Sequence, residues 1–157
     1  MNAPSKHKAN VMTAEYEEAL AIANHDGVRI SEVAKLLETA QGLGDHRATY
    51  ALATWYLFGS NNFPKDIAKA VKMLKVAAKA EIAAAHFDLA VCYKTAQGVR
   101  KNYRKAYLHY LAAALYGDKQ APFFVADCFY FGIGVTKDME VAEIWYCMAE
   151  SKEVDLR

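Results

Sequence analysis

The stretch FGIGVTKDMEVA, Phe131 to Ala142, sets Gly132 and Gly134 either side of one residue, with Lys137 close behind. Glycines let backbone amides turn toward an anion and a lysine adds charge, so this pattern could cradle a phosphate. A cradle of that kind follows a β-strand. Here the preceding DCFYF continues a helical apolar stripe, so the pattern reads as a turn between helices. Cys92 and His109 could meet across one hairpin as a thiol–imidazole pair, but nothing in the sequence supplies an orienting group or an oxyanion hole. His7, His25, His46, His86 and His109 form no HxxxH or HExxH spacing. Glu17 and Glu18 are adjacent, so they diverge around a helix and cannot face each other as an acid and base. Cys92, Cys128 and Cys147 make no CxxC and read as reduced thiols filling apolar space. No catalytic residue, cofactor or metal ligand is assigned, and the chain is expected not to be an enzyme.

The 157 residues suffice for one domain with a real core, and 54% of them are hydrophobic, which excludes a disordered tail. Lys+Arg 19 against Asp+Glu 18 leaves a net charge of +1, which gives no general attraction to nucleic acid or anionic membranes. The basic stretch VRKNYRKAY interleaves Arg100, Lys101, Arg104 and Lys105 with tyrosines. It reads as the solvated start of a helix rather than a nucleic-acid patch. The N-terminus has no apolar core of signal-peptide length, and no run approaches the roughly 18 apolar residues that span a bilayer. The expected location is the cytoplasm.

The elements that must position these residues come in repeats. Lysines fall at 65, 101 and 137, followed by Asp66, Asn102 and Asp138; Ala70, Ala106 and Ala142 share the frame, as do Ala77, Ala113 and Ala149, all at a period of 36. Upstream, Tyr56, Tyr93 and Tyr130 are 37 apart, and so are Ala53, Ala90 and Asp127. The difference lies in the connection between tyrosine and lysine, where loops tolerate changes of length. Both flanking blocks read as helices. Ala70, Met73, Leu74, Ala77 and Ala78 make a buried stripe in the second, and Leu52, Trp55 and Tyr56 carry the stripe in the first. Asp66, Asn102 and Asp138 suit helix N-caps, and Gly98 and Gly134 suit turns with positive φ. Upstream, LLETAQGLGD resembles YLAAALYGD, and Leu37 lies 37 before Leu74. This indicates a degenerate hairpin, with a first helix from about Ala14 to Asn24 and a turn at HDG. The chain divides into an arm (1–11), that hairpin (12–44), three repeats (45–151, in units 45–80, 81–117 and 118–151) and a tail (152–157).

These units resemble the Sel-1-like repeat family, helical-hairpin relatives of the tetratricopeptide repeat. Its pattern runs A-x-x-x-L-G-x-x-Y, then G-x-G-V-x-x-D, K-A and A-A-x-x-G. The third unit offers Tyr130, GIGVTKD and Ala142. The second offers Ala85, Leu89, Tyr93, GVRKN, Lys105–Ala106, Ala113–Ala114 and Gly117. The first offers Ala48, Leu52, Tyr56, PKD, Lys69–Ala70 and Ala77–Ala78. The family's glycine after leucine is here Ala53, Ala90 and Asp127; Ala126 replaces the leucine and Pro122 the early alanine of the third unit; the first loop keeps only Gly59. The resemblance implies an all-α fold, a right-handed α/α superhelical solenoid of three hairpins plus the degenerate one. It also implies a non-catalytic protein-binding adaptor or scaffold. A small bacterial immunity protein that blocks a toxin is the specific version, and a self-assembling structural protein the alternative.

Two surfaces are expected to meet a protein or peptide partner. In the tetratricopeptide register the concave face carries Tyr50, Phe87 and Phe124, then Thr54, Val91 and Cys128, then Leu57, Lys94 and Phe131 near the rim. The same aromatics could instead pack between units. The second surface is the C-terminal end, where Met139, Ile144, Trp145, Tyr146 and Met148 are not all expected to be covered, and where a second copy could bind.

Overall fold

The computed structural model describes residues 10–23 and 29–154, with side chains as far as 151. Among them are eight helices and no strand: α1 (Ala14–Ala23), α2 (Ile30–Gly42), α3 (His46–Phe58), α4 (Ile67–Lys79), α5 (Ala83–Thr95), α6 (Tyr103–Leu115), α7 (Ala121–Phe131) and α8 (Met139–Val154). The all-helical fold of paired helices is the one the periods predicted. Helix α8 continues through residues 152–154, which were expected to be tail; that segment contains no glycine or proline to stop it. The arm as far as residue 9 and the HDG turn lie outside the described residues.

The chain forms two compact units, Met1–Ile82 and Ala83–Arg157. In each, successive helices pack side by side, so each holds two hairpins. The first unit is built on Ala19, Val33, Leu37, Ala40, Ala48 and Leu52. The second is built on Ala90, Tyr110, Ala113, Ala114, Ala121, Val125 and Cys128. Alanine makes up half of the first set and more than half of the second, because a methyl side chain lets two helix backbones approach closely.

The caps are those the sequence offers. The side chain of Asp66 accepts from the amide of Lys69 (2.9 Å), Asn102 from that of Lys105 (2.8 Å) and Asp138 from that of Val141 (3.0 Å). The amides of the same three residues return to the preceding helix, donating to the carbonyls of Tyr56, Tyr93 and Phe129. The third bond lands one residue earlier than the pattern of the other two, which absorbs the shorter third loop. Gly59 and Gly132 cap α3 and α7 in the left-handed region. The equivalent of Gly59 after α5 is Ala96, at φ 61°.

A buried ion pair closes the first unit. Asp45 is fully buried and caps α3. It accepts from the amide and hydroxyl of Thr13 (3.0 and 3.1 Å) and from the Arg47 guanidinium (2.7 Å at Nη2). Arg47 also reaches Glu17 (2.6 Å) and lies over the Tyr16 ring. Asn10 accepts from the amide of His46 (2.8 Å), so the end of the expected arm is tied to the start of α3.

Candidate protein-interaction surface

The glycine turn before α8 is filled by the protein itself. Gly132 and Gly134 take φ of 71° and 73°, as their place between helices requires. A Cβ on Gly134 would collide with the carbonyl of Tyr103 at the start of α6. A carbonyl oxygen against the loop repels an anion, and the Lys137 ammonium lies 5.9 Å from the centroid of the Tyr130 ring. This is the packing of a structural turn.

His109 meets His86: their Nδ1 atoms are 2.9 Å apart, and His109 stacks on Tyr93 with ring centroids 5.5 Å apart. One of the two nitrogens must donate and the other accept. Cys92 is buried, and burial, with the Asp88 charge, pushes its thiol pKa up. A nucleophilic cysteine needs the opposite shift. Cys128 is pushed up to about 11, chiefly by burial. Among the described residues no three of His, Cys, Asp and Glu gather as metal ligands.

The expected aromatic ladder is largely inside. In the first unit Tyr50 is half-buried, the Thr54 hydroxyl donates to the carbonyl of Ala51 (2.7 Å), and Leu57 is buried. In the second unit Phe87, Phe124 and Tyr110 form a triangle with centroids 5.0 to 5.5 Å apart. Val91 packs against the same core, Cys128 is part of it, and the Lys94 ammonium lies 5.9 Å from the Phe124 ring centroid. Leu57 and Cys128 therefore present no surface to a partner. Phe131 does, at 63% exposure.

On the second expected surface, Met139, Ile144 and Met148 are exposed, whereas Trp145 turns inward against the core. Tyr146 is half-buried, and its hydroxyl donates to Asp127 (2.6 Å). That bond raises the phenol to about 12. Arg100, Lys101, Arg104 and Lys105, around the start of α6, are exposed, with the Lys101 ammonium near the Tyr103 ring and that of Lys105 near the Tyr93 ring.

Sequence reasoning missed two aromatic residues. Phe123 (51% exposed) and Tyr130 (38%) lie on one side of α7 with Asp127 between them, and both rings touch the Tyr146 ring edge-on. The signal was available in the register. Counting 37 along the first helices takes Ala53 and Ala90, both fully buried, to Asp127. Counting 36 along the second helices takes the buried pair Ala78 and Ala114 to the exposed Glu150, and Val71 and Tyr107 to the exposed Glu143.

The repeat register is also what relates the chain to known proteins. The profile of the Sel1 repeat matches residues 46–81, 83–118 and 120–152. The chain belongs to the Sel1 repeat family. Among solved structures it is similar to a Sel1 repeat protein from Oxalobacter formigenes, at 26% identity and a TM-score of 0.80 over 88% of this chain. It is equally similar to c5321, a protective antigen of uropathogenic Escherichia coli with an SLR fold, at 26% identity and a TM-score of 0.81 over 88% of this chain. The Sel1 chain spans 57% of the first relative and 30% of the second. The immunity protein Pa5087 from Pseudomonas aeruginosa is similar at 17% identity and a TM-score of 0.41, which carries no argument about function. Among curated proteins none matches the sequence significantly. No helix among the described residues is long and apolar enough to cross a membrane.

Proposed function

We propose that this Sel1 chain is a non-catalytic protein-binding module whose contact surface lies on the hairpin of the third repeat, α7 and α8, here called the third hairpin. The observation that carries this reading is the gathering of solvent-facing apolar and aromatic side chains there: Phe123, Tyr130 and Phe131 on α7, and Ile144 and Met148 on α8. Aromatic rings of this kind anchor protein interfaces, and helical repeats place such residues on a rigid frame. The expected ladder contributes through its exposed member, Phe131, while Phe87, Val91 and Phe124 pack against the core of the second unit and Lys94 lies near Phe124. Family membership supports the same class of function.

The test is affinity capture with the wild type and a Phe123→Ala/Phe131→Ala variant. Loss of the captured partner in the variant supports the reading, and unchanged recovery overturns it. The narrower reading, an immunity protein that occupies a toxin in the bacterial cytoplasm, rests on the family resemblance. It requires the chain to restore growth to a cell expressing the product of a neighbouring toxin gene. No rescue with any neighbouring product sinks it.

A further inference from the structure

The outward face of the third hairpin carries more than exposed rings, and its charge identifies what would cover it. Within the second unit the equivalent face of the preceding hairpin, α5 and α6, is apolar and occupied. Ala90 shares a core with Ala121, Val125 and Cys128; Tyr107 meets Phe129 edge-on at 5.6 Å; Tyr110 stacks on Phe124 at 5.0 Å. On the third hairpin the register sets Asp127 in place of Ala90, Glu143 in place of Tyr107 and Glu150 in place of Ala114, while Tyr146 keeps the place of Tyr110. Three carboxylates thus stand where the preceding hairpin buries apolar groups. The rings of Phe123, Tyr130 and Tyr146 surround the central one, Asp127. Lys137, over Tyr130, is the chain's own cation at that rim.

We infer that this face docks a basic segment of a partner protein, one bearing arginine or lysine among apolar residues. A guanidinium stacks on aromatic faces and pairs with a carboxylate in the same pose, and Phe123, Tyr130 and Tyr146 around Asp127 offer both. Glu143 and Glu150 lie two helical turns apart on one side of α8, about 10 Å, so they receive cations spaced two turns apart on a partner helix. A second copy meeting this face by its own equivalent face would set Glu143 and Glu150 against like charges, which disfavours a two-fold dimer here. A further hairpin of that preceding hairpin's kind would have to bury the three carboxylates without partners.

This inference rests on the protein-binding reading and deepens it. The isotope-labelled full chain is titrated, with amide shifts followed by NMR, against an amphipathic helical peptide carrying arginines at two-turn spacing and against the same peptide with glutamates instead. The expected result is shifts confined to residues 123–131 and 143–150, and at least about tenfold tighter binding of the arginine peptide. That preference should shrink by about tenfold in Glu143→Gln/Glu150→Gln, whose exposed side chains do not hold the fold, and likewise in Asp127→Asn, which still accepts from Tyr146. Equal binding of the two peptides, no binding of either, or a preference that survives both variants overturns the inference. Those outcomes beside partner capture that still needs Phe123 and Phe131 leave the protein-binding reading standing. Arginine selectivity with no such capture does the reverse.

Discussion

At Ala96 the chain pays for a turn with the wrong residue. It takes the left-handed φ of 61° that glycine provides at the ends of α3 and α7. A side chain in that region costs about 1–2 kcal/mol. Ala96→Gly is therefore expected to stabilise the protein by about 1 kcal/mol, after allowing for the greater freedom of glycine in the unfolded chain. A urea titration compared with wild type measures it; an unchanged or lower midpoint contradicts it. Asp45 makes the opposite case. Burial resists its ionisation, but hydrogen bonds from Arg47 and Thr13 prevail and hold the carboxyl at about 2, below its ordinary 3.8. A depressed folded-state pKa gives stability that is complete above the unfolded value and is lost as pH falls toward the folded one. The first unit should weaken between about pH 4 and pH 2. Asp45→Ala should remove that acid dependence and cost about 2–3 kcal/mol at neutral pH, because it removes the α3 cap and the acceptor for the Thr13 amide and hydroxyl, while Arg47 keeps Glu17. Identical acid unfolding curves for the two proteins would show that another group controls the transition.

Among the elements, α7 separates packing from surface within adjacent residues. Phe124 stacks on Tyr110 and meets Phe87 edge-on, whereas Phe123 beside it and Phe131 at the helix end face outward. Phe124→Ala should cost about 3–5 kcal/mol, and Phe131→Ala less than about 0.5 kcal/mol. Thermal unfolding of the two variants distinguishes them, and comparable losses would mean Phe131 is not free in solution. The same helix shows what could be read in advance. Periods of 36 and 37 located the paired helices, the caps at Asp66, Asn102 and Asp138, and the positive-φ glycines, because each depends on local chemistry. The side on which a ring lies was not legible, since one residue's step turns it by about 100° around the helix. A borrowed register pointed to Phe124 and Cys128, which are packed, and passed over Phe123 and Tyr130. The C-terminal set was expected to be covered only in part, and it divides the same way: Trp145 packs on the core, while Met139, Ile144 and Met148 are exposed.

For the molecule as a whole, thiol chemistry reports on the fold. Cys92 and Cys128 are buried with raised pKa values, whereas Cys147 is exposed on α8. A thiol reagent at neutral pH should modify one cysteine of the native chain quickly and the other two only on unfolding. Rapid modification of all three would show that the second unit opens readily. The balance of charge is equally informative. The net value of +1 hides an uneven distribution: Lys72, Lys75 and Lys79 are exposed on α4, while Glu140, Glu143 and Glu150 are exposed on α8. Sums over the sequence pointed to no general attraction to nucleic acid, and they could not reveal that an acidic patch exists.

The loop between α3 and α4 is tied at its base by the bond from the Asp66 amide to the Tyr56 carbonyl, and its tip is formed by Asn61 and Asn62, both with positive φ. The base, not the tip, fixes how the two helices meet. The junction between those asparagines is thus a natural splice point for an epitope or a fluorescent label, placed in a different compact unit from the surface that such a probe would be used to watch.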